Sequence, residues 1–349
     1  MFHLHGPALR GGALALLAAV LFGVSTPLVQ HLGAGLGAFS TAALLYAGAA
    51  GMGAVLRKPV QQEARLRRAD TSRLLAMAGL GAVVGPVALA WGLQRTSGSS
   101  ASLMLTLEAL FTALLAWRLY HETMDRRVWA AMLLLLAGGV ALVVDQGRLG
   151  GVELAGLLAV LLATMAWGAD NTLSRALAER DPAQVVLVKA ALGASATAVL
   201  AWGLGEPMPT AAAVWGMVAV GATGYGLGLR CYLLAQRAFG AARTGSVFAF
   251  APFIGAVLAF AMGDRTAGGL VVVGGLLMVA GVVLHLAETH EHPHDHEAAE
   301  HEHAHRHDDG HHNHAHSPMP QGSHSHWHQH GAQSHTHAHV PDAHHTHRH

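Results

Sequence analysis

The chain has 349 residues, of which 52% are hydrophobic and only 12% charged, and its formal net charge is zero. A soluble domain carries about twice that share of charge, and a neutral balance gives nucleic acid no electrostatic handhold. The one cysteine, Cys231, rules out an intramolecular disulfide and a cysteine zinc cluster.

In chain order, ten apolar runs are long enough to cross roughly 30 Å of hydrocarbon, which takes about twenty helical residues. They lie near 11–31, 37–56, 74–93, 98–117, 128–144, 153–174, 184–204, 212–233, 244–262 and 267–286. The first has the look of a signal peptide. Its apolar character runs on through Pro27 and Leu28, which is too long for a signal core, so it reads as an uncleaved span. Lipid offers backbone groups no water, and strands of alternating polarity are absent, so the spans are expected to be helices rather than a barrel.

The basic residues orient the spans. With a cytoplasmic N-terminus, inside loops hold Arg10, then Arg57, Lys58, Arg65, Arg67, Arg68 and Arg73, then Arg118, Arg126 and Arg127. Further inside positions are Arg175, Arg180 and Lys189, then Arg230, Arg237 and Arg243; outside loops hold only Arg95, Arg148 and Arg265. This excess of inside charge predicts that both termini are cytoplasmic. Arg far outnumbers Lys, which with the abundance of Ala and Gly points to a GC-rich bacterial source and hence the inner membrane.

The chain is also doubled. QRTSGSSASLMLTLEALFTALLAWRLYHE, Gln94 to Glu122, returns as QRAFGAARTGSVFAFAPFIGAVLAFAMGD, Gln236 to Asp264. Upstream, Phe22-Gly23-Val24-Ser25-Thr26 returns as Trp167-Gly168-Ala169-Asp170-Asn171. A repeat of roughly 145 residues with five spans per copy puts the second copy upside down and the transport pathway at the interface of the two. The expected units are 1–147 and 148–287, one five-helix repeat each, and a tail over 288–349.

These features resemble the EamA branch of the drug/metabolite transporter superfamily: five plus five spans, a Phe-Gly or Trp-Gly with polar neighbours opening each half, and the LTLEALFTALLAWRLYHE and FAFAPFIGAVLAFAMGD segments. The resemblance covers residues 11 to about 287 and implies export or exchange of a small metabolite by alternating access. Relatives handle amino acids, sugars, nucleotides and drugs, so it is silent on substrate. Two departures stand out: Glu108 is followed by Ala109 where the pattern has Pro, and the tail after Leu286 has no counterpart.

Several span residues are candidates for the pathway. Glu108 sits mid-span, where a charged side chain costs from about 2.5 kcal/mol upwards, so it must be paired, hydrated or protonated. It either contacts a substrate amine or carries a proton, or else it is a neutral side chain bonded to a neighbouring helix. Thr112 lies one turn on and shares its face. Asp170 and Asn171 near the inner third of the sixth span, with their repeat mates Ser25 and Thr26 near the outer third of the first, would line two mouths of one pathway. The competing reading makes Asp170 interfacial, hydrated or paired with Arg175, and His31 belongs to the outer interface.

Pro27, Pro86 and Pro252 predict bends. The run Gly221 to Gly228 lacks the Lys-Ser or Lys-Thr of a phosphate loop and reads as close helix packing through Gly224 and Gly228. Trp91, Trp117, Trp129, Trp167 and Trp202 are expected in the interfacial belt.

The tail carries 23 of the 28 histidines, in His-x-His steps through His290, His292, His294, His296, His301, His303, His305 and His307. The pattern continues through His312, His314, His316, His324, His326, His328 and His330. Such a composition buries no core and is expected to be disordered. Alternate side chains of an extended segment lie about 7 Å apart on one side, and neutral imidazoles suit zinc, nickel, cobalt or copper. The interspersed pattern is unlike a purification tag.

The expected fold is thus an all-α membrane protein of ten transmembrane helices in two inverted five-helix repeats, with a disordered tail. Three functions compete: a metabolite transporter with a regulating or buffering metal-binding tail, a divalent nickel, cobalt or zinc exporter whose tail collects the ion, and a membrane-anchored metal sensor. No nucleophile and base share one membrane depth, so an enzyme is not expected, and no cofactor is required. Expected partners are the bilayer, a small-molecule substrate and metal ions at the tail, and a homodimer is compatible with the sequence. Reporter fusions after Leu286 and within 57–73 should read cytoplasmic and one near Gly205 external; a periplasmic tail would overturn the topology.

Overall fold

The computed structural model describes residues 6–57, 64–120, 124, 126–177, 180–239, 241–265 and 268–286, together with 291–296, 299–305, 324–330 and 333–338. The first repeat comprises α1 (Gly6–Leu32), α2 (Ala38–Val55), α3 (Thr71–Met77), α4 (Gly85–Leu93), α5 (Gly98–Met104), α6 (Leu107–Tyr120) and α7 (Arg126–Leu149). The second comprises α8 (Gly151–Ser174), α9 (Pro182–Gly203), α10 (Ala211–Val220), α11 (Gly228–Phe239), α12 (Ala241–Phe248), α13 (Ala251–Ala261) and α14 (Gly269–Leu286). Among the described residues, eight helical runs are long and apolar enough to cross a membrane, and Ala251–Ala261 and Gly269–His285 are shorter apolar helices. This is the all-α, two-repeat membrane fold that the sequence predicts.

The doubling extends to the irregularities. Each third span passes through seven residues of π-helix, Ala78–Val84 between α3 and α4 and Gly221–Leu227 between α10 and α11. Each fourth span is broken where an unbroken helix is predicted. The first break falls at Leu105 and Thr106, between α5 and α6, and the second at Ala249 and Phe250, between α12 and α13. Pro252 takes the first turn of α13, where its missing N–H costs nothing. Pro86 follows the π turn inside the continuous third span, where it has no N–H to give the Gly81 carbonyl, and Pro27 sits inside α1. The broken spans pack together, with Gly255 of α13 set against the Ser102 side chain of α5.

The two repeats are clasped through α2 and α9, which pack along their length. At one end Glu206, just past α9, accepts from the first backbone N–H groups of α2, at Phe39 (3.1 Å) and Ser40 (2.7 Å), and from the Ser40 hydroxyl (2.6 Å). At the other end the segment after α2 holds the start of α9: Asp181 N–H donates to the Ala64 carbonyl (2.8 Å), Leu66 N–H to Gln184 Oε1 (3.0 Å), and Arg180 pairs with Asp70 at 2.9 Å. Uncapped helix ends buried in a bundle would leave donors unmet. Each clasp therefore satisfies one repeat's helix with the other repeat's loop.

Three sequence expectations are corrected. Trp167 is not interfacial: it is 5% exposed and donates from Nε1 to the Gly81 carbonyl at 3.0 Å, because the π turn frees that oxygen. Lys189 is not a loop cation but a buried residue of α9. In the glycine-rich run, Gly224 does pack tightly, on Ser25, but Gly228 has only ordinary contacts, and the close approaches are those of Gly221 to the Leu45 backbone and Gly226 to Met52 and Ala49. Four tail strands are described, β1 (Glu291–His296) antiparallel to β4 (Gln333–Ala338) and β2 (Ala299–His305) antiparallel to β3 (His324–His330). His290, His307, His312, His314 and His316 lie outside the described residues, as do Lys58 and Glu122.

A Cβ at Gly221 would overlap the Leu45 carbonyl, whereas one at Gly51 meets open space. Gly221→Ala should therefore destabilise the folded protein by about 1–3 kcal/mol and Gly51→Ala should not, as read by thermal unfolding in detergent.

Candidate functional site

A cavity with about 630 Å³ of empty space, counting the part open to solvent, lies where α1, α2, α6, α8, α9, α11 and α12 converge. Both repeats build it. Its lining is rich in aromatic rings: Phe22, Tyr46, Trp167, Tyr225, Tyr232 and Phe248. Their rings meet at angles, Phe22 to Trp167 at 5.7 Å and 78°, Phe22 to Tyr225 at 5.7 Å and 63°, and Tyr232 to Phe248 at 5.0 Å and 66°. Edge-to-face contacts of this kind fix ring orientation beyond simple burial. Tyr46 and Trp167 both donate to the Gly81 carbonyl, so the π turn of the third span anchors two of the six rings.

Four polar side chains share the lining with the rings: Glu108, Asp170, Asn171 and Lys189, from α6, α8 and α9. Lys189 Nζ is paired with Asp170 Oδ2, and the two residues are 3% and 4% exposed. Asp170 packs on Gly81, where any Cβ would displace the carboxylate. Its second oxygen, Oδ1, is buried without a partner. Asn171 Nδ2 donates to Glu108 Oε1 across the α6–α8 contact. The break before Leu107 puts Glu108 in the first turn of α6, although the N–H groups of Thr106, Glu108 and Ala109 are already bonded to the Leu103, Leu105 and Thr106 carbonyls. The Asn171 amide is thus the polar partner of this mid-span acid.

Of the pathway residues predicted from sequence, the structure brings Glu108, Asp170 and Asn171 together in this cavity. Thr112 faces the Gly168 carbonyl at 3.5 Å and Ser25 donates to the Phe22 carbonyl at 2.6 Å; neither they nor the buried Thr26 line the cavity. Asp170 is buried on Lys189 rather than exposed at the interface, and the Arg175 side chain lies outside the described residues. Sequence reasoning missed Lys189 and the aromatic lining. The signal available was a lone lysine five residues into an apolar run, at the place where the repeat offset gives Leu44 in the first copy.

Polar side chains lace one end of the bundle. Gln30 donates to the carbonyls of Leu93 (2.8 Å) and Thr96 (3.1 Å), Gln94 to that of Leu36 (2.8 Å), and Thr96 Oγ1 to Gln146 Oε1 (2.9 Å). Ser99 N–H donates to Asp264 at 2.8 Å, joining the two repeats. The charged cavity residues sit on the far side of the break in α5–α6 from this lacing. Helix ends clasped between repeats and a mid-bundle polar cavity reached past broken helices define a multi-pass membrane transporter.

The family is shown by comparison. The profile of the EamA-like transporter family matches residues 9–144 and again 154–287, so the chain belongs to that family, as a transporter rather than an enzyme. It is 28% identical over 232 residues to an uncharacterized transporter of Methanothermobacter thermautotrophicus, covering 64% of this chain and 67% of that one. A crystal structure with 20% identity superposes with a TM-score of 0.57 over 80% of this chain and 94% of its own, which shows the fold alone.

Glu108→Gln keeps an acceptor for Asn171 and removes only the charge or exchangeable proton. Transport should fall about tenfold or more while the melting temperature stays within roughly 3 °C. Unchanged transport at every pH would make Glu108 a structural residue.

Proposed function

We propose that the protein is a secondary transporter of a bacterial inner membrane that exports a small metabolite by alternating access, with both termini cytoplasmic. The carrying observation is the cavity between the two repeats, lined by the buried Asp170–Lys189 pair and by Glu108. Buried charges within spans mark pathways because lipid makes them too costly for a purely structural part. The laced end, holding Gln30, Gln94, Thr96 and Asp264, is the outer one in the orientation set by the basic loops. The conformation then has its outer gate shut and its site displaced toward the cytoplasm.

The His-rich tail is a separate metal-binding unit for zinc, nickel, cobalt or copper. The strand register supports this: His301 lies opposite His328, His303 opposite His326 and His305 opposite His324, with His292 opposite His337 and His294 opposite His335. Directly opposed Cα atoms in such ladders are about 4.5–5.5 Å apart, within reach of one ion. The metal-export reading is weaker, because among the described residues the cavity lining holds no His or Cys and its two carboxylates come singly from α6 and α8. Among the described residues there is also no cluster of three His, Cys, Asp or Glu.

Binding needs neutral imidazoles with a reference pKa of about 6.5. Protons displace metal as pH falls, so the tail should bind several ions loosely at pH 7.5 and release them below about pH 6. Titrating zinc or nickel into the full chain and into the chain ending at Leu286 checks this. The shortened protein should lose metal binding and keep transport; a tight saturable site left in it would favour metal export.

A further inference from the structure

We propose that the cavity takes an organic cation, a small molecule with a protonated amine at one end and an aromatic or alkyl body at the other. The inference rests on the transporter reading and names its substrate class.

The charges in the cavity do not balance. Two carboxylates, Glu108 and Asp170, face one ammonium, Lys189, and among the described residues no other charged side chain lines the space. Lys189 occupies Asp170 Oδ2 and leaves Oδ1 unpartnered on a residue only 4% exposed. Glu108 has the Asn171 amide but, among the described residues, no cation within ion-pair distance. A buried acceptor without a donor is costly, and the surplus negative charge is costly in a low-dielectric site. A ligand bringing one positive charge and N–H donors removes both penalties. A carboxylate or phosphate ligand would instead face two acids and one lysine that is already paired.

The layout says which end goes where. The charged groups come from α6, α8 and α9, and the six rings surround them from α1, α2, α8, the second π turn, α11 and α12. Ring faces attract cations and accept apolar bodies, whereas a sugar or other polyol would find few hydrogen-bonding partners there. The charge is also one-sided within the repeat: Asp170 stands where the first copy has Ser25, and by the same offset Lys189 stands where it has Leu44. A ligand is therefore oriented with its amine against α8 and α9 and is not centred on the pseudo-twofold axis.

The test uses the full-length protein in detergent and three compounds of one shape: phenethylamine, phenethyl alcohol and phenylpropionate. Calorimetry and thermal shift should show binding by the amine and at least about tenfold weaker binding by the alcohol and the acid. Glu108→Gln should weaken the amine about tenfold. Lys189→Gln keeps a donor for Asp170 and removes the competing charge, so it should tighten the amine about threefold or more. Both variants are first shown to unfold cooperatively without ligand. Equal or better binding of the acid or the alcohol, amine binding unchanged in both variants, or no binding at all overturns the proposal. Uptake by proteoliposomes separates the two readings: uptake of an anion that Glu108→Gln abolishes keeps the transporter and sinks the cation, and amine binding without uptake of any solute does the reverse.

Discussion

Hydrocarbon cannot solvate an ion, and that constraint is met here inside the protein by one buried pair, Asp170 with Lys189. Taking either partner alone into lipid would cost several kcal/mol, and breaking such a pair costs about 3–5 kcal/mol because a lone charge is left behind. The features around it follow from accommodating it. Gly81 has no side chain because Asp170 fills that space. The π turn at Gly81 exposes a carbonyl that holds Tyr46 and Trp167 beside the pair. The break before α6 sets Glu108, the second acid, in the first turn of that helix.

Duplication explains why these irregularities come in pairs, and divergence explains why the chemistry does not. Both third spans keep a π turn and both fourth spans keep a break, since these set backbone paths that every inward-facing side chain depends on. Gly224 meets Ser25 as Gly81 meets Asp170. The first repeat has kept the packing version of that contact, a hydroxyl turned back on its own helix. The second has acquired the charged version, with α9 supplying the cation. One-sided charge in a two-fold frame gives the site a direction.

Much of the fold could be read in the residues because membrane helices obey composition: apolar length gives the spans, and the QR repeat gives the halves. The breaks at Leu105–Thr106 and Ala249–Phe250 could not, since small and apolar residues continue through both and only Pro252 hints at either. Glu108, Asp170 and Asn171 were legible because acids in lipid need a reason. Lys189 was not, because a lysine near a predicted span end reads as a loop cation until α9 is seen to begin at Pro182. Trp167 was misplaced for the same reason. Position along a span suggested the interface, but a hydrogen bond to a π-turn carbonyl decided its burial.

Whether this polar cluster is a transport site or merely a satisfied core comes down to water. The single cysteine, Cys231, is buried, and changing it to Ala leaves a background in which Asn171→Cys is the only thiol. A charged methanethiosulfonate reagent reacts with a thiol only where water reaches it. In membrane vesicles the Asn171→Cys protein should be modified from the cytoplasmic face and lose transport on modification. A thiol at position 171 that stays inert from both faces, in protein that still transports, would show a dry core there and contradict a pathway through the Asp170–Lys189 pair.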